Sequence, residues 1–317
     1  MKLTREEIHA LGGFSNLSED KCDDLLQKKL FAQPDEWKKF LKIAFLVLGV
    51  GFIISGIIFF FAYNWDDLHK YIKLTLIQLL IPIGIGVNLF FKGHQVIRQL
   101  GAITATMMVG VSFAVYGQIY QTGANDFDFF LNWCAVVFVW VVLANSAAHW
   151  LLYIVLLNIT IFTYYYQYAY TWTFEDLYGV LFLINALLLI IFTVLGKKTS
   201  LINTPRWFLI PLAIIAVYYS TVGISVGIFN ASNPFFSVFL MAVATVYAIG
   251  IYQGYKSRQI YYLGTIYLSS MIIVSAAIMN LTNSLNEIIM FLLSLFFTAG
   301  TTVIVVHFIS LKKRWKK

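Results

Sequence analysis

Residues 37–67 read WKKFLKIAFLVLGVGFIISGIIFFFAYNWDD. Three lysines, Lys38, Lys39 and Lys42, precede the apolar run, and two acids, Asp66 and Asp67, close it. A helix rising about 1.5 Å per residue needs about 20 apolar residues to cross a hydrocarbon core of about 30 Å. Residues 43–63 meet that length without one charged group. In lipid every backbone N–H and C=O must be satisfied within its own segment, so a continuous run of this length is a helix.

The same pattern recurs down the chain. Apolar runs occupy residues 43–63, 71–91, 100–120, 127–145, 148–166, 177–196, 207–227, 234–254, 260–280 and 287–310. They are continuous, without the short alternating segments of a membrane barrel. Composition agrees. The 317 residues are 60% hydrophobic and 12% charged, with a mean hydropathy of +0.79. A water-soluble domain carries about 25% charged residues, so this charge cannot cover a cytosolic globule. The expected fold class is an all-α membrane protein, a polytopic bundle of about ten transmembrane helices with a short helical cytoplasmic N-terminal segment.

Charge placement orients the spans. With the N-terminus inside, only Lys70 and Lys73 of the 22 Lys and Arg fall on the outer side, as the positive-inside rule requires. The acids beyond residue 42 are Asp66, Asp67, Asp126, Asp128, Glu175, Asp176 and Glu287, and all fall outside. The short link at Asn145–Ala147 invites a merger of spans four and five. Merging would turn Lys197, Lys198, Lys256 and Arg258 outward, so ten spans with both termini cytoplasmic are retained. The +7 net charge therefore reflects topology and not a nucleic-acid partner.

Four regions follow: a cytoplasmic segment 1–42, spans one to five over 43–166, spans six to ten over 177–310, and a basic tail 311–317. In the first, Thr4 and Glu7 have capping-box spacing, and Ser18-Glu19-Asp20 reads as a second helix start. A third helix starts at Pro34 and is expected to run straight into the first span. No cleavable signal is apparent.

Site motifs for nucleotides, zinc peptidases and α/β-hydrolases are absent, so no enzyme activity and no cofactor are expected. Cys22 and Cys134 have no metal-ligand spacing. His9, His69, His94, His149 and His307 are scattered, and interfacial placement accounts for His69, His94 and His307. No Asp, Glu, Lys or Arg stands at the middle of a span, which argues against an ion-coupled pump. The amides Gln78, Asn88, Gln118, Asn132, Asn158 and Asn185 are expected to face neighbouring helices. Pro82 and Pro211 mark kinks or broken helices. Gly49/Gly51, Gly223/Gly227 and Gly250/Gly254 permit close helix approach. Tyr164, Tyr165, Tyr166, Tyr168, Tyr170 and Trp172 read as an interfacial belt, with a ligand-stacking platform as the alternative.

The richest polar cluster lies at the outer ends of the first four spans. It comprises Asn64, Trp65, Asp66, Asp67, Gln118, Tyr120, Gln121, Asp126, Asp128, Asn132 and Trp133. Carboxylates with amides can bind a cation or cationic ligand, and solvated loop ends capping their helices would look the same. Asn64-Trp65-Asp66-Asp67 after a glycine-rich first span, with Gly117-Gln118-Ile119-Tyr120-Gln121 closing the third, resembles a bacterial membrane-protein family, the domain of unknown function 2157. The likeness covers roughly residues 35–165. It implies a multi-pass protein of the bacterial cytoplasmic membrane with no known reaction, substrate or cofactor. It also implies a complex with another small membrane protein or a second copy, within the lipid bilayer. The matching residues are Asn64, Trp65, Asp66, Gly117, Gln118, Tyr120 and Gln121. Two functions stay open: a permease-like transporter for a neutral, lipidic or cationic small molecule, and a non-enzymatic sensor or scaffold docking a partner through residues 1–42. A membrane enzyme acting on lipid-linked substrates is least favoured.

Overall fold

The computed structural model describes residues 34–63, 69–91, 93, 95–198, 204–230, 234–282 and 286–316. The expected helices at Thr4 and Ser18, and Cys22, His9, His94 and Asn64–Asp67, lie outside them. Among the described residues there are ten helices and no strand, and all ten are long and apolar enough to cross a membrane. They are α1 (Pro34–Tyr63), α2 (Lys70–Phe90), α3 (Gln95–Tyr120), α4 (Asp126–Ala144) and α5 (Ala147–Tyr168). Then come α6 (Phe174–Lys198), α7 (Arg206–Phe229), α8 (Phe236–Lys256), α9 (Ile260–Thr282) and α10 (Glu287–Lys316). The chain is an all-α, multi-pass membrane protein.

Each predicted run coincides with one helix. The helix from Pro34 continues unbroken to Tyr63, as the approach segment implied. Spans four and five are separate because Asn145 takes a left-handed conformation, φ 43 and ψ 44, and ends α4. Asn tolerates that region better than β-branched or aromatic residues do. Ser146 then leaves the helical region, and α5 begins at Ala147. Helices α2 and α7 run through Pro82 and Pro211 without interruption, so neither proline divides its helix in two.

The chain separates into two compact units, divided between Val115 and Tyr116. In the first, α2 and α3 meet through glycine. A Cβ at Gly84 would stand 2.7 Å from the Gly101 carbonyl oxygen, and one at Gly101 2.8 Å from that of Gly84. Only hydrogen at both positions allows backbones this close, the packing mode that lipid favours. The turn between the two helices is tied by Asn88, whose Nδ2 donates to the Arg98 carbonyl (2.9 Å), while Arg98 Nε donates to the Asn88 carbonyl (2.9 Å). The expected Gly49/Gly51 contact is not found among the described residues, since a Cβ at either would meet nothing within 4 Å.

The second unit is built on α6 and α7, with α5, α8 and α9 packed on them and α10 on α9. Phe182 and Ala186 of α6, Ile224 of α7, Phe239 and Val243 of α8 and Ile266 of α9 form one buried cluster. Ile154 of α5, Phe192 of α6, and Phe208 and Leu212 of α7 form another. Gly250 and Gly254 do receive side chains from α9, as their spacing suggested. Added Cβ atoms there would press on Ile266 (2.7 Å) and Leu263 (2.9 Å).

Candidate functional site

Of the residues singled out at the outer mouth, Asn64, Trp65, Asp66 and Asp67 lie outside the described residues. The others fall around the α3–α4 turn. Helix α3 ends at Tyr120, and Gln121 turns the chain at φ 44. Thr122 N–H then bonds back to the Gly117 carbonyl (3.4 Å), and Tyr116 and Tyr120 pack ring on ring at 4.6 Å. The Gln118 side chain is exposed.

Helix α4 starts with a conventional cap. Asn125 Oδ1 accepts the Asp128 N–H at 2.9 Å, which satisfies one orphan donor of the first turn. Asp126 and Asp128 stand in that turn, where carboxylates are favoured by the helix dipole. Asn132 Nδ2 donates to the Asp128 carbonyl of its own helix (2.7 Å), so its amide reinforces α4. Trp133 is buried and stacks at 17° on Phe130. The residues that hold this end in place come from α5. Gln167 Oε1 accepts the Phe127 N–H (2.9 Å), and Asn125 Nδ2 donates to Tyr168 Oη (2.6 Å). Phe127 lies against both Tyr164 and Tyr168, at 5.2 and 5.3 Å. Part of the tyrosine-rich segment therefore braces α4. Asp126 and Asp128 stand in the first turn of α4, behind the Asn125 cap.

The amide expectation is met deep in the second unit. Asn185 of α6 donates from Nδ2 to Asn158 Oδ1 of α5 at 2.7 Å, and Asn158 Nδ2 donates back to Asn185 Oδ1 at 3.2 Å. Each Nδ2 also reaches a carbonyl one turn earlier in its own helix, Ile154 and Leu181. Cys134 contacts Thr160 Oγ1 at 3.3 Å, and His149, near the start of α5, is fully buried.

The sequence reading missed a hydroxyl network near the middle of α7, α8 and α9. Tyr247 Oη lies 2.8 Å from Ser220 Oγ and 2.5 Å from Ser269 Oγ, and Ser269 is 2.6 Å from Thr221 Oγ1. All four residues are buried. A small hydroxyl on an apolar helix carries no periodic signal, so only helix rotation reveals it. Below this network, toward the end that bears Lys256 and Arg258, lies a cavity of about 240 Å³ among α6, α7, α8 and α9. Ala186, Val194, Ala216, Val217, Ile249 and Ile266 line it, with Tyr247, Gln253, Thr193 and Thr265 at its border. Four of the five polar lining residues, Tyr262 being the fifth, are engaged in side-chain hydrogen bonds. Thr193 and Thr265 donate to their own helices, Gln253 donates to Ser257, and Tyr247 is held by the two serines. What remains on offer is aliphatic and aromatic surface, suited to an apolar occupant.

Among the described residues no group of three or more His, Cys, Asp or Glu is placed to hold a metal ion. No curated protein and no solved structure matches the chain. Residues 15–150, which carry both motifs quoted above, match the family described as a predicted membrane protein, the domain of unknown function 2157.

Proposed function

We propose that the chain is a permease-like protein that takes a neutral or lipidic small molecule into the space between α6, α7, α8 and α9. One observation carries this reading: an apolar cavity that reaches from one end of the unit to the buried Tyr247 network near mid-helix. In this reading both termini are cytoplasmic, in a bacterial inner membrane, and the cavity opens toward the cytoplasmic leaflet. The outer-mouth residues Gln118, Tyr120, Gln121, Asp126, Asp128, Asn132 and Trp133 serve as the polar approach from the other side. No covalent chemistry is assigned, and a second small membrane protein or a second copy is the expected partner. Transbilayer movement of a fluorescent short-chain phospholipid in proteoliposomes tests the proposal. Wild-type protein should accelerate it over empty vesicles, and Ala216→Trp, which fills the cavity, should return it to the empty-vesicle rate. No acceleration by wild-type protein sinks the transport reading; full activity in Ala216→Trp sinks the cavity as its route.

A further inference from the structure

We propose that the opposite end of α6 and α8 carries a pocket for an organic ammonium group, in which Glu175 supplies the counter-charge and aromatic rings supply the walls. The pocket is a cavity of about 500 Å³ between the first turns of these helices and the α5–α6 link. Trp172, Glu175, Gly179, Phe235, Phe236 and Phe239 line it, and none of them borders the apolar cavity described above.

Glu175 is the observation that points to a ligand. It is only 3% exposed, and its Oε1 is buried without a hydrogen-bond partner among the described residues. Its neighbour is accounted for differently. Asp176 Oδ2 accepts from Thr173 N–H (2.9 Å) and from Thr173 Oγ1 (3.0 Å), and Thr173 Oγ1 accepts the Asp176 N–H (3.4 Å). This reciprocal cap keeps Asp176 at the helix start. The first turn of α6 favours a carboxylate electrostatically, but a buried carboxylate with an unfilled acceptor needs a cation or a proton.

The walls indicate which cation. Glycines let the rings come in close: a Cβ at Gly227 would collide with the Phe236 ring and stand 3.1 Å from Glu175 Cγ. A Cβ at Gly223 would stand 2.8 Å from Phe239 Cε1, and one at Gly179 would touch the same ring at 3.6 Å. Phe236 and the stem of Glu175 therefore converge over Gly227. No Lys, Arg or His lines the pocket. A hard metal ion wants six or more oxygen ligands, whereas the pocket has Glu175, Thr171 and an Asp176 already tied to Thr173, among rings and aliphatic carbons. Aromatic faces with one carboxylate suit an alkylated or primary ammonium, attracted by the ring quadrupoles and by the charge. Such a group is carried by amine-bearing lipid headgroups and by soluble amines alike.

The test uses full-length protein in nanodiscs of phosphatidylglycerol, titrated calorimetrically with tetramethylammonium chloride. Wild-type protein should bind it saturably. Glu175→Gln should weaken binding about tenfold or more, Trp172→Leu and Phe236→Leu severalfold, and Glu287→Gln not at all. Repeating the titration with phosphatidylethanolamine in the disc distinguishes the source: weakened binding of the free cation identifies the headgroup as occupant, and unchanged binding identifies a soluble amine. Absence of saturable binding to wild-type protein in phosphatidylglycerol discs overturns the proposal. So does equal affinity in a folded Glu175→Gln protein. Should that variant not fold, unchanged affinity in both Trp172→Leu and Phe236→Leu overturns it instead.

Discussion

Asn158 and Asn185 exchange amide hydrogen bonds across the α5–α6 interface, at 2.7 and 3.2 Å, with both side chains buried. Interhelical bonds of this kind contribute about 0.6 kcal/mol on average and up to about 1.7 in a membrane, because the separated helices also find partners for their polar groups. Asn185→Leu should therefore lower unfolding stability in mixed micelles by about 1 kcal/mol, part of it from the Asn158 Oδ1 left unbonded. The double variant with Asn158→Leu should cost less than the sum of the two single changes. Strict additivity would mean that the pair is not coupled.

The Tyr247 hydroxyl joins three helices through Ser220 and Ser269. Tyr247→Phe keeps the ring in its cluster and removes only this junction, so a loss of about 0.5–1.5 kcal/mol is expected by the same unfolding measurement. Thr245→Val on the same helix is the comparison. Its hydroxyl bonds to the Met241 carbonyl of its own helix and is exposed, so its stability should stay within about 0.5 kcal/mol of wild type.

Glycine substitutions should separate packed from unpacked positions. Gly84→Ala places a methyl group against the Gly101 backbone, which cannot step aside as a flexible side chain could. A cost of about 1–3 kcal/mol is expected. Gly51→Ala meets nothing within 4 Å and should instead stabilise α1 by about 0.5–1 kcal/mol through helix propensity. The two melting shifts should differ in sign; equal destabilisation would show that Gly51 also packs.

Topology reporters fused at residues 124, 174 and 200 should read outside, outside and inside. The first two sites precede Asp126 and Glu175, and the third follows Lys197 and Lys198. An outside reading at 200 would contradict the orientation drawn from the basic residues.

The elements that could be read directly were those governed by local accounting. Span existence followed from residues 43–63 and their counterparts. The division of α4 from α5 followed from keeping Lys197 and Lys256 on the same side as the N-terminal lysines, and it is realised by the left-handed Asn145. The candidate site was legible only in part. Asp126 and Asp128 were found where expected, yet as members of a capped first turn, and Asn132 turned out to serve its own helix. Glu175 was counted among the outer acids, but nothing in its neighbourhood separated it from Asp176. Asp176 is tied to Thr173, whereas Glu175 Oε1 is buried without a hydrogen-bond partner among the described residues.

That contrast has a physical origin. In lipid each helix must satisfy its backbone alone, so length, apolarity and flanking charge determine the ten spans from one-dimensional information. Which face of a helix meets protein and which meets lipid is another matter, because acyl chains are as apolar as leucine and an apolar residue suits either. Periodicity is therefore weak, and helix rotation and neighbour choice were left to tertiary structure. It alone paired Asn158 with Asn185, brought Tyr247 to Ser269, opened the cavity beside Ala216 and closed Phe236 over Gly227 beside Glu175.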